Sequence, residues 1–138
     1  MMLLKKLTII LSFAFLVSAC SSDASTDTNK ANINGEMFTE GKQIVKLFAE
    51  FYNGEDDKGD QAEELATSFL EKFENEYSSG SYDEVFYTSI MALKAQFTSY
   101  FLAEYTGKDA IELGLIKEDI RGTLLVIRED FGISFELE

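Results

Sequence analysis

From residue 37 onward, apolar residues return every three or four positions, the spacing of one face of an α-helix. Phe38, Gly41, Ile44, Val45, Phe48, Phe51 and Tyr52 trace the first such face, which stops at Asn53-Gly54. Ala62, Leu65, Ala66, Phe69, Leu70, Phe73 and Tyr77 trace a second, and Asp60 three residues ahead of Glu63 gives it the pattern of a capped start. Ser78-Ser79-Gly80 breaks that helix, and Ser81 with Glu84 opens a long third one that runs to about Tyr105, with Gly107 as its stop. Asp109 with Glu112 predicts a short helical turn closed by Gly114, and Ile120, Leu124, Ile127 and Phe131 then place a last helix over 117–130. Residues 123–127 would also suit a buried strand, and Phe131, Ile133, Phe135 and Leu137 alternate with polar or small neighbours. A helix followed by an extended tail is preferred to a terminal hairpin, because a lone pair of strands is marginal in water and no third strand offers itself. The reading is all-α: a small antiparallel bundle of about four main helices, with a short extended C-terminal tail.

The third helix carries more apolar surface than one packing face needs. Phe86, Ile90, Leu93, Phe97 and Phe101, flanked by Tyr100, form its main stripe, and Tyr87, Met91, Ala95, Leu102 and Tyr105 form a second. Either the helix is central and covered along both stripes, or the second is a partly exposed surface that docks another protein. Tyr87, Met91, Leu102 and Tyr105 are the candidate contact residues on that second reading. Phe69, Phe73, Phe86, Leu93 and Phe97 are expected in the core. Glu104 falls within the apolar face, so it should either reach water near the helix end or pair with Arg121 or Arg128.

Composition narrows the chemistry. The 138 residues contain no histidine and one cysteine, Cys20. Imidazole acid-base catalysis, Ser-His-Asp and Cys-His hydrolysis, structural zinc sites and internal disulfides all need residues that this chain lacks. The formal charge is −13, a field that repels nucleic acid and attracts basic proteins. Much of it lies within residues 50–76, where Glu55, Asp56, Asp57, Asp60, Glu63, Glu64, Glu71 and Glu74 are answered only by Lys58 and Lys72. Asp56, Asp57, Glu63 and Glu64 are therefore candidates for contact with a basic partner. The segment 53–64 superficially suggests a calcium loop, but the register fails: with Asn53 first, Lys58 stands where glycine is required. No specific metal is expected. A carboxylate-only glycosidase is chemically allowed, with Glu63, Glu64, Glu104 and Glu112 as nominal candidates. It is the weakest of the readings, because Glu63 and Glu112 already have capping roles and tryptophan is absent.

The first twenty residues concern location. Lys5 and Lys6 precede an apolar run over 7–17, and Ser18 and Ala19 stand directly before Cys20, which gives the three zones of a secretory signal. The run is far short of the ~20 residues that span a bilayer. Val17-Ser18-Ala19-Cys20 resembles the lipobox of bacterial lipoproteins. The resemblance, confined to residues 1–20, implies that the signal is cut before Cys20 and that Cys20 carries a diacylglyceryl group on sulfur and usually an acyl group on its new amino terminus. No other cofactor is implied. Two or three chains hold durably where one holds only marginally. Loss of Lys5 and Lys6 with the signal takes the formal charge from −13 to −15. Ser21 after the cysteine favours the outer membrane where the host has two, and the outer face of the cell membrane otherwise. The expected organisation is a signal over 1–19, a lipidated cysteine and polar tether over 20–36, and one acidic helical domain over 37–138. The functional expectation is a non-enzymatic envelope lipoprotein that binds a protein, such as an immunity or inhibitor protein for a basic partner. An accessory subunit of an envelope complex is the alternative.

Overall fold

The computed structural model describes residues 33–138, and the signal, Cys20 and most of the expected tether lie outside them. Four helices follow one another: α1 (Gly35–Tyr52), α2 (Asp56–Phe73), α3 (Tyr82–Tyr105) and α4 (Ala110–Phe131). The short connections make each helix antiparallel to the next, and no strand occurs among the described residues. α3 lies in the middle, between α2 on one side and α4 on the other, with α1 across its inner face.

The packed body begins earlier than the sequence pattern suggests. Ile33 is buried, and the Asn34 side chain accepts from the backbone N–H groups of Glu36 and Met37, at 3.0 and 3.2 Å. The Asn34 N–H in turn donates to Asp83 at 2.8 Å, which ties the start of α1 to the start of α3. Residues 33–36 therefore belong to the bundle and not to a tether. α2 also starts earlier, at Asp56. Its expected cap at Asp60 is already inside the helix, and the residue at the cap position, Glu55, makes no side-chain bond there. Asp56 and Asp57 stabilise this end by placing negative charge against the free amides of the first turn.

The expected starts of α3 and α4 form as side-chain caps. Ser81 accepts from the Glu84 N–H at 3.2 Å, and Glu84 reaches back to the Gly80 N–H. Asp109 accepts from Ile111 and Glu112 N–H groups at 2.9 and 3.0 Å. Gly114 does not close a separate turn, because α4 runs through it as one helix, with Lys108 and Glu112 paired across the first turn at 3.1 Å. The true stop is Gly132, whose φ of 63° is the left-handed conformation that a side chain disfavours. Beyond it the chain is extended. Ile133 is buried, Phe135 and Leu137 pack on the core, and the Asn53 amide holds the Glu136 carbonyl at 3.1 Å and the Glu138 N–H at 2.9 Å. The tail thus runs back to the turn between α1 and α2.

The core is aromatic, and two glycines set its spacing. Phe86 meets Phe38, Phe69 and Phe131 at centroid distances of 5.6, 6.4 and 4.8 Å, and Phe97 meets Phe48 and Phe51 at 5.8 and 4.9 Å. A Cβ on Gly41 would lie 2.4 Å from the Phe86 ring, and one on Gly59 would lie 2.3 Å from the Phe97 ring. Each ring of α3 thus occupies the space a missing side chain leaves on α1 or α2. All five residues expected in the core from sequence are buried. Phe101, expected on the same stripe, is exposed and lines an open recess beside Asp56 and Asp60 at the start of α2. Phe97→Ala should cost about 3–5 kcal/mol of stability and Gly59→Ala about 1–3. The two losses should be clearly less than additive in a double-mutant cycle followed by urea denaturation, since removing the ring makes room for the new methyl.

Candidate functional site

α3 carries apolar residues on every side and has no purely polar face. Its charged residues are Asp83, Glu84, Lys94 and Glu104, in a chain that is 27% charged. An all-round apolar helix is ordinarily covered on every side. α3 is not, because its three neighbours occupy the inner face and the two flanks and leave an outer face open. Met91 is 46% exposed and Leu102 59%, and Ala95 between them is exposed too. Thr88 and Ser99, the exposed polar residues of that face, bond back to the carbonyls of Glu84 and Ala95 within the helix.

The expected contact residues on α3 separate into two groups. Met91, Leu102 and Tyr105 are at the surface, Tyr105 at 83% exposure on the last turn. Tyr87 is a correction: it is 8% exposed, and its hydroxyl donates to the Leu70 carbonyl of α2 at 3.1 Å. Its ring lies 4.8 Å from Tyr77 and 6.2 Å from Phe69. The helical turn points Tyr87 at α2 and Met91 past it, so the second stripe is half flank and half surface.

The acidic candidates all lie on α2. Asp56, Asp57 and Glu64 are exposed, and Asp57 accepts from Gln61 at 3.3 Å. Glu63 is half-buried and accepts from the Thr98 hydroxyl of α3 at 2.9 Å, a link between helices rather than a free surface charge. From Asp56 onward the segment 53–64 is helix, so its carboxylates are spread around α2 instead of converging as a loop would bring them. No cluster of three or more metal-ligating side chains occurs among the described residues. The lysine of α2 nearest its end, Lys72, is drawn to the opposite side by Glu36 and Glu40 of α1, at 2.7 and 2.6 Å. Asp60, Glu64 and Glu71 are exposed on α2.

Glu104 is exposed near the end of α3 and pairs with neither arginine. Arg121 lies 3.8 Å from Glu118, and the Arg128 guanidinium stacks over Phe135 at 5.8 Å. With Asp56 and Asp60, Glu104 rims a recess of about 150 Å³ floored by Phe51, Phe97 and Tyr100. Burial, reinforced by Glu104 and Asp56, raises the pKa of the Tyr100 hydroxyl.

Sequence reasoning missed the contribution of α4. Opposite its buried stripe of Ile120, Leu124, Ile127 and Phe131, α4 presents Ile111, Leu115 and Val126 to solvent, with Gly122 between the last two. The spacing of four, seven and four residues is the signal that could have found them, hidden by reading 109–114 as a separate turn. These residues are a second group of exposed apolar side chains, on the helix packed next to α3. Lys42 and Lys46 line a shallow groove on α1.

Comparison with family models, with curated proteins and with solved structures returns no match for the chain.

Burial also raises the Tyr87 and Tyr52 hydroxyls, aided by Tyr77 and Glu74 at the first and by Glu118 at the second. A raised folded-state pKa means that this stability is fully present below the ordinary tyrosine value of 10.0 and is lost as pH climbs through the folded value. Urea midpoints should therefore fall between pH 9 and pH 11, by conditions set around the ~10 of free tyrosine, and Tyr87→Phe should shrink the fall.

Proposed function

We propose that the protein is a non-enzymatic envelope lipoprotein, anchored through Cys20, whose helical domain binds a basic protein. The observation that carries this is the open outer face of α3, an uncharged surface in a domain otherwise dense with carboxylates. Large apolar residues left in water on a folded domain mark interaction surfaces, and a strong single-sign field raises the encounter rate of an oppositely charged partner. The lipobox-like Val17-Ser18-Ala19-Cys20 supports the anchor. Among the described residues no helix is long and apolar enough to cross a membrane.

An inhibitor or immunity role for a basic exported protein needs only such complementarity and no catalytic group. The alternative, an accessory subunit of an envelope complex, is favoured by the breadth of the apolar surface over α3 and α4, which would then be a permanent interface.

Two measurements test the reading. Metabolic labelling with a tagged fatty acid should mark the wild-type chain and not Cys20→Ser, and label on the variant would remove the anchor assignment. In-cell cross-linking should capture a basic protein with the anchored chain. Its association rate in stopped flow should fall with added salt and with charge reversal at Asp57 and Glu64, while dissociation changes little. A partner indifferent to salt would favour the permanent-subunit reading.

A further inference from the structure

The recess between the start of α2 and the end of α3 joins aromatic rings to carboxylates. Phe51, Phe97, Tyr100 and Phe101 line it together with Asp56, Asp60 and Glu104. Phe51 stands at 89° to Phe97 and at 74° to Tyr100, with centroids 4.9 and 5.3 Å apart, so the rings form a corner and not a flat wall. Ring faces attract positive charge. The chain itself displays the attraction: the Lys117 ammonium of α4 lies over Phe51 and Tyr100, at 5.1 and 5.5 Å from their centroids. Burial first, then Glu104 and Asp56, raise the pKa of the Tyr100 hydroxyl, so both carboxylates lie within electrostatic reach of that ring. Among the described residues, none of Asp56, Asp60 and Glu104 joins an ion pair. Three carboxylates against one ammonium leave the recess net negative. Its size limits the occupant, since about 150 Å³ takes the head of one side chain, whereas clefts for whole small molecules run from about 300 Å³ upward.

We propose that the recess is a socket for an arginine side chain of the partner protein, its guanidinium stacked on the rings and its N–H groups shared among Asp56, Asp60 and Glu104. The proposal rests on the reading of the domain as a binder of a basic protein, and it names the residue type recognised and the place where it is held. The arrangement of acceptors selects the occupant. No group of three or more ligating side chains that could hold a metal ion occurs among the described residues, so the three carboxylates of the rim do not converge on a point. A guanidinium is planar, spreads five N–H donors in a fixed fork and stacks on aromatic faces, which matches separated acceptors around a floor of rings. An ammonium is a compact, strongly hydrated point charge and gains less from both features. Arginine is also enriched among the few residues that dominate the energetics of protein interfaces.

The test uses the full chain, isotope-labelled and held in neutral detergent, with Nα-acetyl-argininamide as the probe. The probe should shift the backbone NMR resonances of Asp56, Phe97, Tyr100 and Glu104 and should saturate them. The citrulline analogue, of the same shape without the charge, should bind at least about tenfold more weakly, and the lysine analogue at least about threefold more weakly. Asp60→Asn/Glu104→Gln should lose about tenfold or more in affinity while resonances away from the recess stay in place, since both side chains are exposed. Phe101→Ala, which removes a ring that is 53% exposed, should weaken binding about threefold. Equal affinity for the citrulline or the lysine analogue would overturn the proposal, as would shifts spread evenly over α2 and α4 or unchanged affinity in the double carboxylate variant. Cross-linking in cells separates the socket from the reading beneath it. A basic partner captured by wild type and lost in Asp60→Asn/Glu104→Gln supports both. Equal capture by the two would sink the socket and leave the binding function standing, and absence of any cross-linked partner would sink both.

Discussion

Two aromatic rings of one helix resting on two glycines of its neighbours hold this bundle together. Phe86 sits over Gly41 of α1, and Phe97 over Gly59 of α2, each at a separation that a single added carbon would close to an overlap. The hairpin of α1 and α2 is thereby fixed on α3 at both levels of the core. Contacts of this kind depend on shape, so they fix the register of α3 as well as adding stability. Everything outward follows, because once Phe86 and Phe97 point inward, the turn of the helix sends Met91, Ala95 and Leu102 to the far side.

That geometry explains how one helix can be both core and surface. α3 has apolar residues on all sides but neighbours on only three. Exposed carboxylates lie on both helices that flank α3, among them Glu64 and Glu71 on α2 and Glu129 on α4, while Lys42 and Lys46 line a groove on α1. Lys117 of α4 is engaged inward, over the rings of Phe51 and Tyr100 at 5.1 and 5.5 Å. Between the two flanking helices α3 exposes Met91, Ala95 and Leu102.

The helices, their order and the aromatic core were legible because periodicity and caps agreed, as at Ser81 and Asp109. The differences have local causes. Asn34 caps α1 from within a polar run that looks like linker, and only the burial of Ile33 marks it as part of the fold. Asp60 followed by Glu63 imitates a helix start, yet the helix begins a turn earlier on carboxylates that act through the backbone dipole and leave no side-chain signature. Gly114 reads as a stop, although its neighbours Leu113 and Ile116 carry α4 through it. Hydropathy put Tyr87 and Met91 on one stripe, but which of them is covered depends on where α2 ends its contact with α3, and no local pattern encodes that. The acidic candidates were legible as charge and not as roles, since Glu63 bridges to Thr98 while Glu64 faces water.

The joining of neighbouring helices by short turns has a kinetic consequence. α1 pairs with α2, and α3 with α4, within stretches that the chain can close locally, so little loop entropy opposes either hairpin. Assembly of a bundle with such local topology belongs to the microsecond-to-millisecond range. The slower event is the meeting of the two hairpins, because the rings of α3 find their glycine seats only then. Until that moment α3 presents aromatic surface on its inner side as well as its outer one, and this brief species is where the chain is most prone to stick to its own kind.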